Sequence, residues 1–144
     1  MGTLTSAIAA SRSALTAERV RIEAAVSNLA NAESTRGPDG TPYRRRDVVL
    51  EAQPPGPFDT LVGGAAPTAA GVRVAAVVED PAPFQRRYQP SHPDADADGF
   101  VALPNVDQAE EMVDMLGAAR AYQANLSAIT LIRDVIQRAL ELGK

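Results

Sequence analysis

All eleven prolines of this 144-residue chain lie between Pro38 and Pro104. Residues 1–37 and 105–144 contain none, and both stretches repeat apolar residues at helical spacing. Proline inside a helix costs about 3 kcal/mol. Its confinement to the middle divides the chain into a helix, an irregular β-like insert and a second helix. The predicted fold class is mainly α with a small β insert (α+β). Two long terminal helices form a coiled-coil-like hairpin around a central β-rich segment. The divisions expected are 1–35, 36–104 and 105–144.

The first helix is predicted from about Leu4 to Ala32. Ile8, Leu15, Ile22 and Leu29 recur every seven residues, whereas the companion line Leu4, Ser11, Glu18, Ala25 and Ala32 is small or polar. So narrow a stripe predicts that this helix takes its order from neighbours, because packing supplies most helical stability. The second helix is predicted over Asn105–Leu142. Met112, Ala119, Leu126, Arg133 and Leu140 form one line, and Met115, Tyr122, Ile129 and Ile136 the other, as at a and d positions over four heptads. Asp107, Glu110 and Glu111 stand in its first turns, where carboxylates favour the helix dipole, and Gly143 is the expected C-cap. Leu126 and Ile129 are expected to be buried by other helices in an assembly. Asn28, Asn31 and Asn125 sit near these seams, and buried amides need partners; they are expected to hydrogen-bond between helices and set register. Arg45 and Arg120 are further contact candidates.

Between the helices, Gly37, Pro38 and Gly40 end the first helix. Strands are expected at Tyr43–Ala52, Gly71–Glu79, Phe84–Tyr88 and Phe100–Leu103, with a flexible loop over Gly63–Gly71. The small sheet they form is expected to be mostly antiparallel.

Composition excludes several functions. Net charge is −4 and the three segments hold 3, 7 and 4 basic against 3, 9 and 6 acidic side chains, so no basic tail or patch points to nucleic acid. Cysteine is absent, which removes disulfides, thiolate nucleophiles and zinc–thiolate sites. No run of 18 apolar residues exists, and the start lacks the basic and apolar regions of a cleavable secretory signal.

The block Asp94-Ala-Asp96-Ala-Asp98-Gly99 matches the first half of a calcium-binding EF-hand loop. Its twelfth position, however, is Asn105, which supplies no bidentate carboxylate. An acidic turn that caps backbone amides or meets arginines of a neighbour is expected instead, with no tight metal site. Ser91, His92 and Asp94 are too close in sequence to build a hydrolase triad, and His92 is expected to be an exposed loop residue. Arg44-Arg45-Arg46 and Arg86-Arg87 suit salt bridges to a neighbour's acids better than phosphate binding on an acidic chain. Gly63-Gly64 lacks the lysine and helix of a phosphate loop. No catalytic constellation, cofactor site or small-molecule site is expected.

Several stretches resemble the axial proteins of the bacterial flagellum. Ser27-Asn-Leu-Ala-Asn-Ala-Glu-Ser-Thr35 is similar to the Asn-rich end of the first helix shared by rod and hook proteins. More specific are Pro42-Tyr-Arg-Arg-Arg-Asp-Val-Val49, the stretches Asp80–Tyr88 and Ser91–Val106, and Ala119-Arg-Ala-Tyr-Gln-Ala-Asn125. Together they resemble the FlgC family of proximal rod subunits, nearly end to end. Departures are the Gly63–Gly71 loop and Leu29, where isoleucine is commoner. The resemblance implies a non-enzymatic building block of the rod that carries torque and lines the export channel. It is expected to leave the cell unfolded through the flagellar type III export gate, without a cleaved signal, and to assemble in the periplasm. The partners implied are further copies of itself, other rod subunits, the rod–membrane-ring junction protein and the MS ring. The rival expectation from the helices alone is a cytoplasmic adaptor that dimerises through them.

Overall fold

The computed structural model describes residues 2–53 and 71–142. Helix α1 spans Gly2–Ala30 and helix α2 spans Gln108–Leu142. Between them come strands β1 (Arg46–Ala52), β2 (Val72–Glu79), β3 (Gln85–Tyr88) and β4 (Phe100–Leu103). β1 pairs antiparallel with β2, and β3 with β4, as two separate ribbons. The architecture is therefore the α+β hairpin with a β insert expected from the proline distribution. The expected loop over residues 63–70 and the expected cap at Gly143 lie outside the described residues.

Helix boundaries differ from expectation for local reasons. α1 stops at Ala30, before the Gly37–Gly40 breakers, where the backbone tightens into i→i−3 bonds from Asn31 to Asn28 and from Ala32 to Leu29, and the Asn31 side-chain amide adds a 2.8 Å bond to the Ser27 carbonyl. Gly37–Gly40 form a separate turn, closed by a 3.0 Å bond and requiring a φ of 82° at Gly40. α2 begins at Gln108 rather than Asn105. Asp107 is its N-cap, accepting from the amides of Ala109 and Glu110 at 2.8 and 3.3 Å. β1 starts three residues later than Tyr43; just before it the Arg45 amide donates to Asn105 Oδ1, and at its first residue the Arg46 amide donates to Asn28 Oδ1.

The two helices pack against each other. Glu111, near the start of α2, meets Asn28, near the end of α1, so they run antiparallel. At 1.5 Å per residue they extend about 43 and 52 Å. α1 is covered on two sides, by α2 and by the β1–β2 ribbon. Its fully buried residues are Ala17, Ala25 and Asn28, and those of α2 are Glu111 and Ala118. Small side chains at these places let the elements approach closely but bury little apolar area. At the closed end of the hairpin Val101, Leu103, Pro104 and Val106, which carry the chain from β4 into α2, are buried, as is Ala32 after α1.

The β1–β2 ribbon lies along α1. Ser13 Oγ accepts from the Val72 amide at 3.0 Å at one end, and Asn28 holds Arg46 at the other. Fifteen helical residues separate these anchors, about 22 Å. The six steps of β1 cover about 20 Å, so ribbon and helix segment match in length. Alternation in β2 fails after Val74, since Ala75 is left out of the pairing and makes a bulge. Beyond it Val77 and Val78 are exposed, as is Val49, which pairs with Ala76.

Gly71 approaches α1 so closely that a β-carbon there would lie 2.6 Å from Ser13 Oγ and 3.3 Å from Ser13 Cβ. Gly71→Ala is expected to destabilise the chain by about 1–3 kcal/mol through overpacking. Ser13→Ala, which leaves the Val72 amide without its partner, should cost about 1 kcal/mol. The double variant should be more stable than the sum of the two. Urea midpoints at constant m-value check this, and strict additivity would contradict the contact.

Candidate assembly interface and the polar clamp

The best-built polar arrangement among the described residues joins all three parts of the chain. Asn28, only 1% exposed, makes four hydrogen bonds. Its Oδ1 accepts from the Arg46 amide and the Tyr43 hydroxyl, each at 2.9 Å. Its Nδ2 donates to the Arg46 carbonyl and to Glu111 Oε2, each at 3.0 Å. The side-chain amide thus pairs with both backbone groups of Arg46, as a neighbouring strand would. A backbone N–H can only donate and a C=O only accept, so these two bonds set which way the Asn28 amide points.

Glu111, 2% exposed, accepts from Asn28 on one oxygen and from Arg45 Nε at 2.5 Å on the other. Arg45 also donates to Asp47 at 2.8 Å and lies 3.6 Å from Asp114 and 3.9 Å from Asp80. Its backbone amide donates to Asn105 Oδ1 at 3.0 Å. Burial works against the Arg45 charge. The hydrogen bond and charge of Glu111, with Asp47 and Glu110, outweigh it and hold the guanidinium above its ordinary pKa. Arg44 donates to the carbonyls of Asp80 and Ala82 and stacks 4.4 Å over the Phe84 ring. Arg44 and Arg45 therefore find their partners within the chain, where a neighbour's acids were expected, because the insert folds back onto the start of α2.

The acidic stretch is a turn in which the carboxylates of Asp94 and Asp96 are in use. Asp96 Oδ1 accepts from the amides of Asp98 and Phe100, at 3.0 and 2.8 Å, and Oδ2 accepts from Arg86 at 2.6 Å. Asp94 accepts from Thr35 at 2.8 Å, which ties this loop to the end of α1. Here too the arginines that meet the acids, Arg86 and Arg36, belong to the same chain. His92 is half-buried rather than exposed, its Nδ1 accepting from the Asp94 amide at 3.1 Å. Among the described residues no group of three or more His, Cys, Asp and Glu is placed to hold a metal ion. A cleft of about 180 Å³ opens beside the clamp, and another of about 410 Å³ is lined in part by Tyr43, Arg44 and Arg46. No described helix is long and apolar enough to cross a membrane.

The apolar lines fall as follows. Ile8, Leu15, Ile22 and Leu29 of α1 and Met115, Tyr122, Ile129 and Ile136 of α2 are half-buried within the chain. Met112, Leu126 and Leu140 are exposed, as are Val113, Leu116, Leu131 and Val135. The fully buried line of α2 runs through Glu111 and Ala118, one position before the Met112, Ala119, Leu126 line. Asn28 bonds across to α2, whereas Asn31 and Asn125 donate to their own helices' carbonyls, those of Ser27 and Ala121. Arg120 is exposed on α2. Residues whose roles the sequence did not expose are Glu111, Tyr43, Asn105 and Ser13. The one available signal was Glu111 itself, an acid seven residues before Ala118 on the face that meets α1.

A family model described as flagellar basal body rod FlgEFG protein C-terminal matches residues 97–142. The flagellar basal-body rod protein FlgC of Escherichia coli O6:H1 is 45% identical over 134 residues, covering 92% of each chain. The chain belongs to the FlgC family. FlgC of Salmonella typhimurium is 43% identical over 132 residues, again 92% of each chain. FlgC of Bacillus subtilis is 39% identical over 142 residues, 93% of this chain and 94% of the relative. The similarity takes in both helices and the insert, so it covers the clamp as well as the apolar lines.

Arg45→Met is expected to destabilise this FlgC-family chain by about 3–5 kcal/mol, since it leaves the Glu111 carboxylate buried without its cation. Arg45→Met combined with Glu111→Met should recover most of that loss, read from urea denaturation; no recovery would contradict the pairing. Hydrogen bonds from Phe100, with those from Arg86 and Asp98, overcome slight desolvation and lower the Asp96 pKa. A lowered folded-state pKa contributes stability above the unfolded value of about 3.9, lost as pH falls below it. The Phe100 amide NMR shift should therefore titrate with an apparent pKa below that value, and a midpoint above it would contradict the turn.

Proposed function

We propose that this chain is a structural, non-enzymatic subunit of the rod of the bacterial flagellar basal body. It helps form the drive shaft and the wall of the export channel, and it transmits torque through a helical stack. Residues 1–35 and 105–144 belong to the rod core, and residues 36–104 form an outward-facing insert. The subunit sits in the periplasm, reached through the flagellar export gate without a cleaved signal. Its partners are further copies, other rod subunits, the rod–membrane-ring junction protein and the MS ring. Ile8, Leu15, Ile22 and Leu29, with Met112, Met115, Tyr122, Leu126, Ile129, Ile136 and Leu140, form the assembly surface. Asn28, Asn31, Asn125, Arg45 and Arg120 contribute register and contacts.

Two observations support this. The similarity to FlgC proteins spans more than nine-tenths of the chain. And α2 carries Met112, Leu116, Leu126, Val135 and Leu140 exposed along its length, apolar side chains available to other helices.

Leu126 is half exposed, so Leu126→Asp should change the stability of the isolated chain by no more than about 0.5 kcal/mol. In cells it should abolish rod assembly and motility at normal expression. Ile129→Asp should also abolish assembly, with a larger loss of stability in the isolated chain because Ile129 is half-buried within it. A motile Leu126→Asp strain would refute the interface, and retention of the native chain in the cytoplasm of flagellated cells would refute the rod assignment.

A further inference from the structure

We infer that Asn28 and Glu111 act together as a latch that seats the Arg46 end of the β1–β2 ribbon only on a closed hairpin, so that closing the two helices and fixing that end of the insert are one event. The inference concerns the single chain and does not depend on the partners proposed above.

The latch takes one component from each part of the chain. Asn28 comes from α1, Glu111 from α2, and Arg45 and Arg46 from the insert. With α2 removed, Asn28 Nδ2 keeps one acceptor while the Arg45 guanidinium loses its buried counter-ion. With the insert removed, Glu111 is left beside Asn28 alone, a carboxylate without a cation. Neither half-formed state satisfies its polar groups. In the complete arrangement, and among the described residues generally, no buried side-chain nitrogen or oxygen lacks a partner. Such an all-or-none polar network favours the complete state over every partial one.

Within the two helices themselves, fully buried apolar side chains beside the latch are small. The buried helix residues around the latch are alanines, Ala25 and Ala118. At the other end of the ribbon, Ser13 binds Val72 without any contribution from α2. The ribbon therefore has one anchor that senses α2 and one that does not. The two ends, about 20 Å apart along β1, should respond differently when α2 is perturbed.

The donor and acceptor pattern gives a specific test. Glu111→Gln presents an amide that accepts from either Asn28 or Arg45 but sets a donor against the other. Asn28→Asp sets a carboxylate against Glu111. Asn28→Asp with Glu111→Gln reverses the bond between the helices, so that the amide introduced on α2 donates to the carboxylate introduced on α1. Hydrogen exchange would be followed by mass spectrometry on the full-length chain. Glu111→Gln is expected to speed exchange at least tenfold over residues 46–49 and 76–79, although the substitution lies on α2, and to change the Ser13-anchored end, residues 72–74, much less. Ser13→Ala should show the opposite distribution. The double variant should be better protected than Asn28→Asp alone. If Asn28→Asp fails to fold, the comparison of Glu111→Gln with Ser13→Ala still decides. Exchange of residues 46–49 unchanged in Glu111→Gln, or loosening confined to α2, would overturn the latch.

Discussion

A buried carboxylate on one helix, shared between an asparagine of the other helix and an arginine of the insert, is the contact on which the rest of this structure depends. Without it the chain is two long helices with alanine at their closest approach and a two-stranded ribbon laid along one of them. Two-stranded ribbons are marginal by themselves, and helices with thin stripes are marginal as well. Charge-assisted hydrogen bonds in a desolvated site give direction and uniqueness where apolar area is small. Asn28 serves as a substitute strand edge for Arg46, Glu111 holds Arg45, and the positions of α1, α2 and β1 follow from one another.

This division of labour leaves the large apolar residues available. In many small domains leucine and isoleucine fill the core. Here the core at the closed end is Val101, Leu103, Pro104 and Val106, and Leu116, Leu126, Leu131 and Leu140 of α2 face outward. A chain built this way holds its internal geometry with polar contacts and keeps its apolar surface for other helices. That suits a building block better than a monomeric enzyme, and it accords with membership of a family of rod proteins. The acidic turn follows the same pattern. Asp94 and Asp96 resemble half of a calcium loop in sequence, yet they bind Thr35, Arg86 and backbone amides. They thereby fasten the β3–β4 ribbon to the end of α1.

Much of the fold was legible because it is written locally. Proline and glycine placement marks the insert, heptad spacing marks the helices, and β-branched runs mark the strands. The Phe100–Leu103 strand came out at its expected limits, and the other elements within a few residues. The Asp107 cap at the start of α2 and the tightened last turn of α1 at Asn31 and Ala32, rather than the nearest breaker, set the helix ends. The flagellar family was legible too, from motif blocks spread along the chain. The clamp was only half legible. Asn28 stood out as an amide near a seam and Arg45 as part of a basic run. Glu111 passed for an ordinary acid of a first helical turn. Its burial depends on Arg45, 66 residues earlier, and no local pattern records a pairing at that distance.

The amino-acid sequence by itself determined which segments are helical to within a few residues, the absence of thiol chemistry, and the family. These follow from backbone sterics, propensity and composition, which act within a few residues. Only the tertiary structure decided which face of α2 meets α1, namely that of Glu111 and Ala118 rather than that of Met112 and Leu126, and to which arginine the buried carboxylate belongs. A one-residue rotation of a helix face changes no local propensity. It changes which groups are desolvated together, and desolvated charges select their partners in three dimensions.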